Sequence, residues 1–249
     1  MHLARRIAAL AVVAGCVAAV IGYQSGRPAA ATANPVVFVP SSNVYKHLSP
    51  SAKATLADVY WLTTIQYYGE HVNSDHRLDS LPAMVRLVAD LSPHFKEAYF
   101  FGSFAMADAG QPGAGYALLE KGFAANPRDW RFPSDLGFFA HRYGAGPHKD
   151  SAASQWYADA ARLPGAPPLV LRLAAELATK ANSRQTAIDL WTQAYAQGDK
   201  YQRQKAVNAL DALLPAGKIA REKAVAGLES AVPKGLFAQF VADLFQGYR

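Results

Sequence analysis

The chain has 249 residues, of which 51% are hydrophobic and 18% charged, and this is the composition of a folded protein rather than a disordered one. Its formal net charge is +6, but no run of lysine or arginine accompanies a recognition motif, which argues against a nucleic-acid partner. The one cysteine, Cys16, lies near the N-terminus. The rest of the chain therefore has neither a disulfide framework nor a thiolate metal site.

Residues 1–23 predict a membrane anchor or an export signal. Arg5 and Arg6 precede an uncharged apolar run, Ile7–Tyr23, that is close to the shortest span of a bilayer, about 17 residues. The basic pair predicts that the remainder of the chain lies across the membrane. Three alternatives are open: an uncleaved anchor in a bacterial inner membrane, a signal peptide cleaved after residues 31–33, and a lipoprotein modified at Cys16. In all three the bulk of the chain lies outside the cytoplasm.

An alanine- and proline-rich linker is expected over residues 24–50, followed by a helical region over 51–199 and capping helices over 200–249. No convincing run of strands interrupts the helical spacing, so we expect an all-α fold of about four antiparallel helical hairpins. The first expected helix begins near Pro50-Ser51, runs to Gly69 and Val72, and pairs with Leu81–Leu91. The other expected pairs are roughly Lys96–Asp108 with Gly113–Ala125, Phe132–Tyr143 with Ser151–Arg162, and Leu169–Lys180 with Arg184–Gln197.

A fixed period of 34 residues runs through this region. Pro93 and Pro127 keep this step, as do the aromatic residues Phe104 and Phe138. Further positions that share the period are Gly69, Ser103 and Gly137, Ala153 and Ala187, Tyr157 and Trp191, and Ala160 and Ala194. A period of this length on apolar helical segments is typical of a stacked repeat array, whose two ends need irregular segments to cover them.

These hairpins resemble the tetratricopeptide repeat over residues 51–199. The family places a small residue where its two helices approach most closely, and Gly69, Ser103, Gly137 and Ala175 stand there. Its second helix carries a small residue, a large one and an alanine, which match Ala153-Tyr157-Ala160 and Ala187-Trp191-Ala194. The closing proline is displaced at Pro164 and missing after Ala194. The resemblance implies a right-handed solenoid, and the stretch 56–70 is similar to the opening of membrane-anchored repeat proteins of bacterial envelopes.

In this family the first helices of the hairpins line a concave groove that holds extended peptides or partner helices. Carried over residue by residue, the resemblance implies a partner-binding groove of mixed aromatic and charged side chains, namely Gln66, Glu70, Glu97, Phe100, Phe104, Arg131, Ser134, Phe138 and His141. The alternative is a groove filled by the chain's own ends, Val36–Val39 or Leu236–Leu244.

Histidines offer the remaining candidates for chemistry. His71, Asp75 and His76 do not share one helix face, and a zinc site needs three or four converging ligands, so a polar loop is the preferred interpretation. His141 and His148 flank a long loop that contains no nucleophile motif. We therefore predict no catalytic residue, no cofactor and no metal.

The expected function is that of a non-enzymatic scaffold that binds another protein of an envelope complex. Two alternatives stay open. One is a periplasmic receptor for a small ligand or peptide, and the other is a metal-dependent hydrolase built on a helical array.

Overall fold

The computed structural model of the chain describes residues 47–246 together with residues 15, 39, 40 and 45. The chain divides into two units between Phe38 and Val39, and every helix named below belongs to the second. The expected N-terminal apolar helix, the cleavage site and, except for Gly15, the lipidation motif lie outside the described residues. Within the part of the chain that the structure describes, no helix is long and apolar enough to cross a membrane.

The described region is entirely helical, which confirms the expected fold class. Between residues 47 and 246 it contains eleven α-helices and one 3-10 turn, Glu229–Ala231, but no strand. The helices are α1 Pro50–Val72, α2 Leu81–Leu91, α3 Lys96–Asp108, α4 Pro112–Ala125, α5 Arg131–Tyr143, α6 Lys149–Ala161, α7 Pro168–Lys180, α8 Arg184–Gln197, α9 Lys200–Leu213, α10 Lys218–Ala226 and α11 Lys234–Phe245.

Local signals set the boundaries of these helices. Proline lies in the first turn of α1, α2, α4 and α7, where its fixed φ suits a helix and its missing N–H is not needed. The side chains of Ser49 and Asp199 accept hydrogen bonds from backbone N–H groups in the first turns of α1 and α9. After α3 the chain reverses at Gly110, whose φ of +76° favours a residue without a side chain.

Consecutive helices pack against one another from α1 to α9, as expected for a helical repeat array. Close contacts depend on small residues inside the hairpins. A Cβ added to Gly115 would lie 2.5 Å from the Ser103 carbonyl oxygen, and one added to Gly137 would lie 2.8 Å from the Tyr157 ring. Ser103 itself is fully buried. The positions expected to be small in the second and third hairpins are therefore sites of close helix approach.

The prediction for Gly69 is wrong. No atom outside α1 lies within 4 Å of a Cβ added at this glycine, which is exposed to solvent. The reason is the face that α1 buries: Thr64, Tyr67 and His71 point into the protein, and position 69 lies about half a turn away from them. The helix is also ten residues longer than α3, so the 34-residue step does not preserve the orientation of its side chains.

The described parts of the chain ends cover the two ends of the array. At the C-terminal end, Phe240 of α11 contacts Tyr195 with ring centroids 4.8 Å apart, and the Tyr195 hydroxyl donates to Asp243 at 2.6 Å. Arg221, 1% exposed, donates from Nη2 to Asp211 and to the Leu244 carbonyl oxygen. Helix α11 therefore packs on Tyr195 and on α9.

At the N-terminal end of the array, Val39 and Tyr45 pack on the first hairpin. They join a buried cluster with Ala57 and Leu87, and the Tyr45 hydroxyl donates to Asp90 Oδ2 at 2.9 Å. These contacts lie on helices α1 and α2. The segment α11, proposed as one possible filler of the groove, lies instead against Tyr195 and α9.

Candidate protein-binding surface

Aromatic rings connect the first helices of the first three hairpins. Trp61 of α1 meets Phe101 of α3 with centroids 5.4 Å apart, and Phe104 of α3 meets Phe138 of α5 at 5.6 Å. Phe100 also meets Phe132 of α5 at 4.5 Å. Helix α3 therefore contacts α1 through one side and α5 through the other, as successive first helices of a solenoid do.

Phe104 and Phe138 are the exposed rings in this series, with 38% and 37% of their surface accessible. Beneath them lies Phe139, only 1% exposed, whose ring is 5.2 Å from Phe104 and 6.0 Å from Phe138. Tyr143, which is 37% exposed, contacts Phe138 and Phe139 one turn further along α5. We call these four residues the aromatic patch. Its rings present a continuous apolar surface anchored in the core.

Arg131 is held at the other end of α5 by a network of charged groups. Its guanidinium lies 4.6 Å from the centre of the Phe100 ring and donates two hydrogen bonds to Asp129, at 3.1 and 2.8 Å. The Lys96 ammonium donates to the same carboxylate at 2.8 Å. The hydrogen bonds from Arg131 are the main cause that holds the pKa of Asp129 well below its usual range, and Asp129 raises the pKa of Arg131 in return. The Arg131 guanidinium is therefore held in place without a binding partner.

Asp135 lies one turn along α5 from Arg131 and is partly buried. Burial raises its pKa to about 6, and Asp129 adds to the effect while the attraction of Arg131 opposes it. The sequence pattern does not distinguish Asp135, because nothing in the spacing of residues reveals that a carboxyl is desolvated. The first turns of α5 therefore carry one fixed positive group beside a partly buried carboxyl with a raised pKa.

His141 forms a charged cluster with two residues from other helices. Its Nδ1 lies 2.6 Å from Asp150 Oδ1 at the start of α6, and Lys180 Nζ at the end of α7 lies 3.3 Å from Asp150 Oδ2. Burial alone would raise the pKa of Asp150, but the hydrogen bonds from His141 and Lys180 outweigh it and lower the pKa. The cluster joins the third and fourth hairpins. Asp150 and Lys180 could not be identified as partners from the sequence, since each lies on a different helix from His141 and the sequence does not show which helix faces meet.

The structure brings some of the expected groove residues together and leaves others apart. Phe100 with Arg131 and Phe104 with Phe138 form contacts, and Glu97 attracts Arg131 electrostatically. The side chains of Gln66, Glu70 and Ser134 are exposed or partly exposed but have no described contact with the aromatic patch. The expected surface is therefore best defined along α3 and α5.

The histidines expected in a polar loop are found near the end of α1. His71 Nδ1 lies 2.6 Å from Asp75 Oδ1, and the His71 ring is buried beside Tyr67 with centroids 4.3 Å apart. His76 follows in a left-handed backbone conformation with φ of 57° and is exposed. In the residues that the structure describes, no group of three or more His, Cys, Asp or Glu side chains could hold a metal ion.

A cleft of about 640 Å³ opens beside Arg131, where the loops between hairpins meet. Its lining is mixed, with three basic residues, one carboxylate and three apolar residues: Lys96, Asn126, Pro127, Arg128, Asp129, Trp130, Arg131 and Pro164. The first residues of α3 and α5, Lys96 and Arg131, are partly exposed and lie beside the exposed Arg128, and Arg131 also covers the Phe100 ring.

Exposed rings and a fixed guanidinium are the side chains that dominate binding at protein interfaces. The arrangement can hold apolar side chains against Phe104 and Phe138 and an acidic group near Arg131. Comparison with known proteins found no matching family model and no similar curated protein.

Proposed function

We propose that the chain is a non-enzymatic scaffold of the tetratricopeptide type at the bacterial cell envelope, which binds a partner protein along α3 and α5. One observation carries the proposal: Phe104 and Phe138 repeat in successive first helices, touch each other, and are each more than a third exposed. An exposed apolar surface of this kind marks an interaction site more often than it marks a stable free surface.

The rigidity of the surface supports this proposal. Phe139 holds the exposed rings Phe104 and Phe138 from below, Phe132 contacts Phe100, and Asp129 holds Arg131 through two hydrogen bonds. A partner would bind without ordering these side chains first, which removes part of the entropic cost of association. The chemistry favours a partner segment with apolar side chains and at least one acidic residue.

The proposed location rests on the N-terminal sequence alone. Arg5 and Arg6 before the run Ile7–Tyr23 favour an inner-membrane anchor with the helical array in the periplasm, and a cleaved signal or lipidation at Cys16 are the alternatives. An anchor would confine scaffold and partner to one membrane surface and raise their effective concentration.

Site-specific photocrosslinking in cells tests the binding surface. A photoreactive amino acid placed at position 138 should give a discrete crosslinked band, and Phe104→Ala or Arg131→Ala in the same chain should abolish it. Position 201 is the matched control, because Tyr201 is 62% exposed on α9, away from α3 and α5. Equal crosslinks at both positions, or a band at 138 that survives both substitutions, would contradict the proposed surface.

A further inference from the structure

An apolar pocket of about 410 Å³ lies where α4 begins, α5 ends and α6 begins. Three aromatic rings from two helices form its walls, and small residues leave its mouth open. Its lining consists of Pro112, Gly113, Tyr116, Phe139, Ala140, Tyr143, Gly144, Ala145, His148, Lys149 and Ala152. The volume lies in the range of small-molecule sites, about 300–1,000 Å³, and the lining has the expected apolar character with few polar groups.

Tyr116 supplies an oriented hydrogen-bond donor to this pocket. The Trp156 indole N–H donates to the Tyr116 hydroxyl oxygen at 2.9 Å, so the hydroxyl hydrogen of Tyr116 is left for an acceptor. Burial raises the pKa of Tyr116, which keeps the hydroxyl protonated. The ring is thus fixed in place by a contact that does not use its donor.

Lys149 supplies positive charge at the same pocket. It is the first residue of α6, whose N-terminal N–H groups add a partial positive charge. Among the described residues no carboxylate forms an ion pair with Lys149, in contrast to Lys96, Lys121 and Lys180. A cationic ligand would be repelled here, whereas an anionic group would gain an ion pair and a hydrogen bond from Tyr116.

We propose that this pocket binds a small aromatic carboxylate. Its ring would pack against the exposed face of Tyr143, and its carboxylate would accept from Lys149 and Tyr116. An aliphatic acid of equal size would lose the ring contacts, and an uncharged aromatic amide would lose the ion pair. The site goes beyond the proposed scaffold function and does not depend on it.

The pocket and the aromatic patch share residues, and this gives the site a possible connection to the binding surface. Phe139 and Tyr143 line the pocket, and Phe139 contacts Phe104 and Phe138 directly. Ligand binding in the pocket can therefore change the aromatic patch. It can also be measured without any protein partner, so failure of one proposal is distinguishable from failure of the other.

Calorimetry on the purified 249-residue chain tests the assignment, with 3-phenylpropionate as the probe. We expect a Kd below about 1 mM for 3-phenylpropionate, and binding about fivefold weaker for 3-phenylpropanamide, which lacks the charge. Hexanoate should also bind more weakly than the aromatic acid. No measurable binding of 3-phenylpropionate, or equal affinities for the acid and the amide, would overturn the proposal.

Matched variants locate the site. Lys149→Met should weaken binding of the acid about fivefold and leave the amide unchanged, while Lys223→Met, on the exposed surface of α10, should change neither. The amide measurement shows whether the Lys149→Met pocket is still folded. If both lysine variants bind the acid as the unmodified chain does, the assigned site is wrong.

A short peptide that ends in a phenylalanine carboxylate tests the second source of the same chemistry. Tighter binding of this peptide than of 3-phenylpropionate would assign the carboxylate to a polypeptide C-terminus, and weaker binding would assign it to a free acid. Both results retain the aromatic carboxylate as the ligand class, provided that 3-phenylpropionate itself binds measurably.

Discussion

Phe104 and Phe138, at equivalent places in α3 and α5, are in contact with ring centroids 5.6 Å apart, yet each is more than a third exposed. The contact joins two successive hairpins on the surface. A double-mutant cycle with Phe104→Ala and Phe138→Ala should give a coupling energy of about 0.5–1.5 kcal/mol. Urea unfolding of the two single variants and the double variant measures it. Strict additivity would show that the rings do not interact in solution.

Two glycines in helices should respond to alanine in opposite ways. In Gly115→Ala the new Cβ would meet the Ser103 carbonyl oxygen at 2.5 Å and Phe139 at 2.9 Å, so we expect a loss of about 1–3 kcal/mol from overpacking. Gly69→Ala has open space around it and should stabilise α1 by about 0.5–1 kcal/mol. The free energies of unfolding of both variants check this. Stabilisation by Gly115→Ala would contradict the close approach of α3 and α4.

Asp135 should make stability fall as pH rises from about 4 to about 6. Its pKa is raised to about 6 from 3.8, mainly by burial, so the folded chain holds the proton more tightly than the unfolded chain does. The shift of about two pKa units corresponds to at most about 3 kcal/mol. Asp135→Asn should remove this pH dependence and raise stability at pH 7.5 relative to the unmodified chain. Chemical denaturation at pH 4.5 and 7.5 compares the two. An unchanged pH profile would argue against desolvation of this carboxyl.

Asp129 should contribute stability with the opposite pH dependence. Its pKa is lowered, chiefly by hydrogen bonds from Arg131, so its contribution is present above its ordinary pKa and is lost as pH falls below about 4. Asp129→Ala frees two cations and a backbone N–H, and we expect a cost of about 1–3 kcal/mol at pH 7.

Asp159→Ala is the matched control for Asp129→Ala, because Asp159 pairs with Arg162 on the exposed surface and should cost less than about 1 kcal/mol. Thermal unfolding at pH 7 and pH 3.5 measures both variants. Equal costs at pH 7 would show that the contacts of Asp129 with Lys96 and Arg131 add nothing to stability.

Helix positions could be predicted because the spacing of hydrophobic residues and the positions of prolines are local features of the sequence. The expected bounds Lys96–Asp108 and Arg184–Gln197 agree with α3 and α8 at both ends. Most other helices differ by one or two residues at their ends, where Pro112 and Pro168 were assigned to turns rather than to the first helical position. Within the expected capping region over residues 200–249, α10 ends at Ala226, Gly227 follows it, and a 3-10 turn forms at Glu229–Ala231.

Orientation and pairing of side chains were only partly predictable. The 34-residue period correctly predicted that Phe104 and Phe138 occupy corresponding positions, because both lie in helices of equal length. It misplaced Gly69, because the longer α1 buries a different face. The partners of His141 and the burial of Asp135 depend on which helices meet, and a single sequence carries no local signal for that.

The contacts of Arg221 determine how the protein responds to the removal of residues from its C-terminal end. This buried cation on α10 joins the Asp211 carboxylate of α9 to the Leu244 carbonyl oxygen of α11. Cleavage before Leu244 would remove one hydrogen-bond acceptor from the buried Arg221 guanidinium. Local unfolding would then let water reach this charge. The last three helices should thus unfold together once Leu244 is removed, and hydrogen exchange of a chain shortened before Leu244 should show loss of protection in α9, α10 and α11 at once.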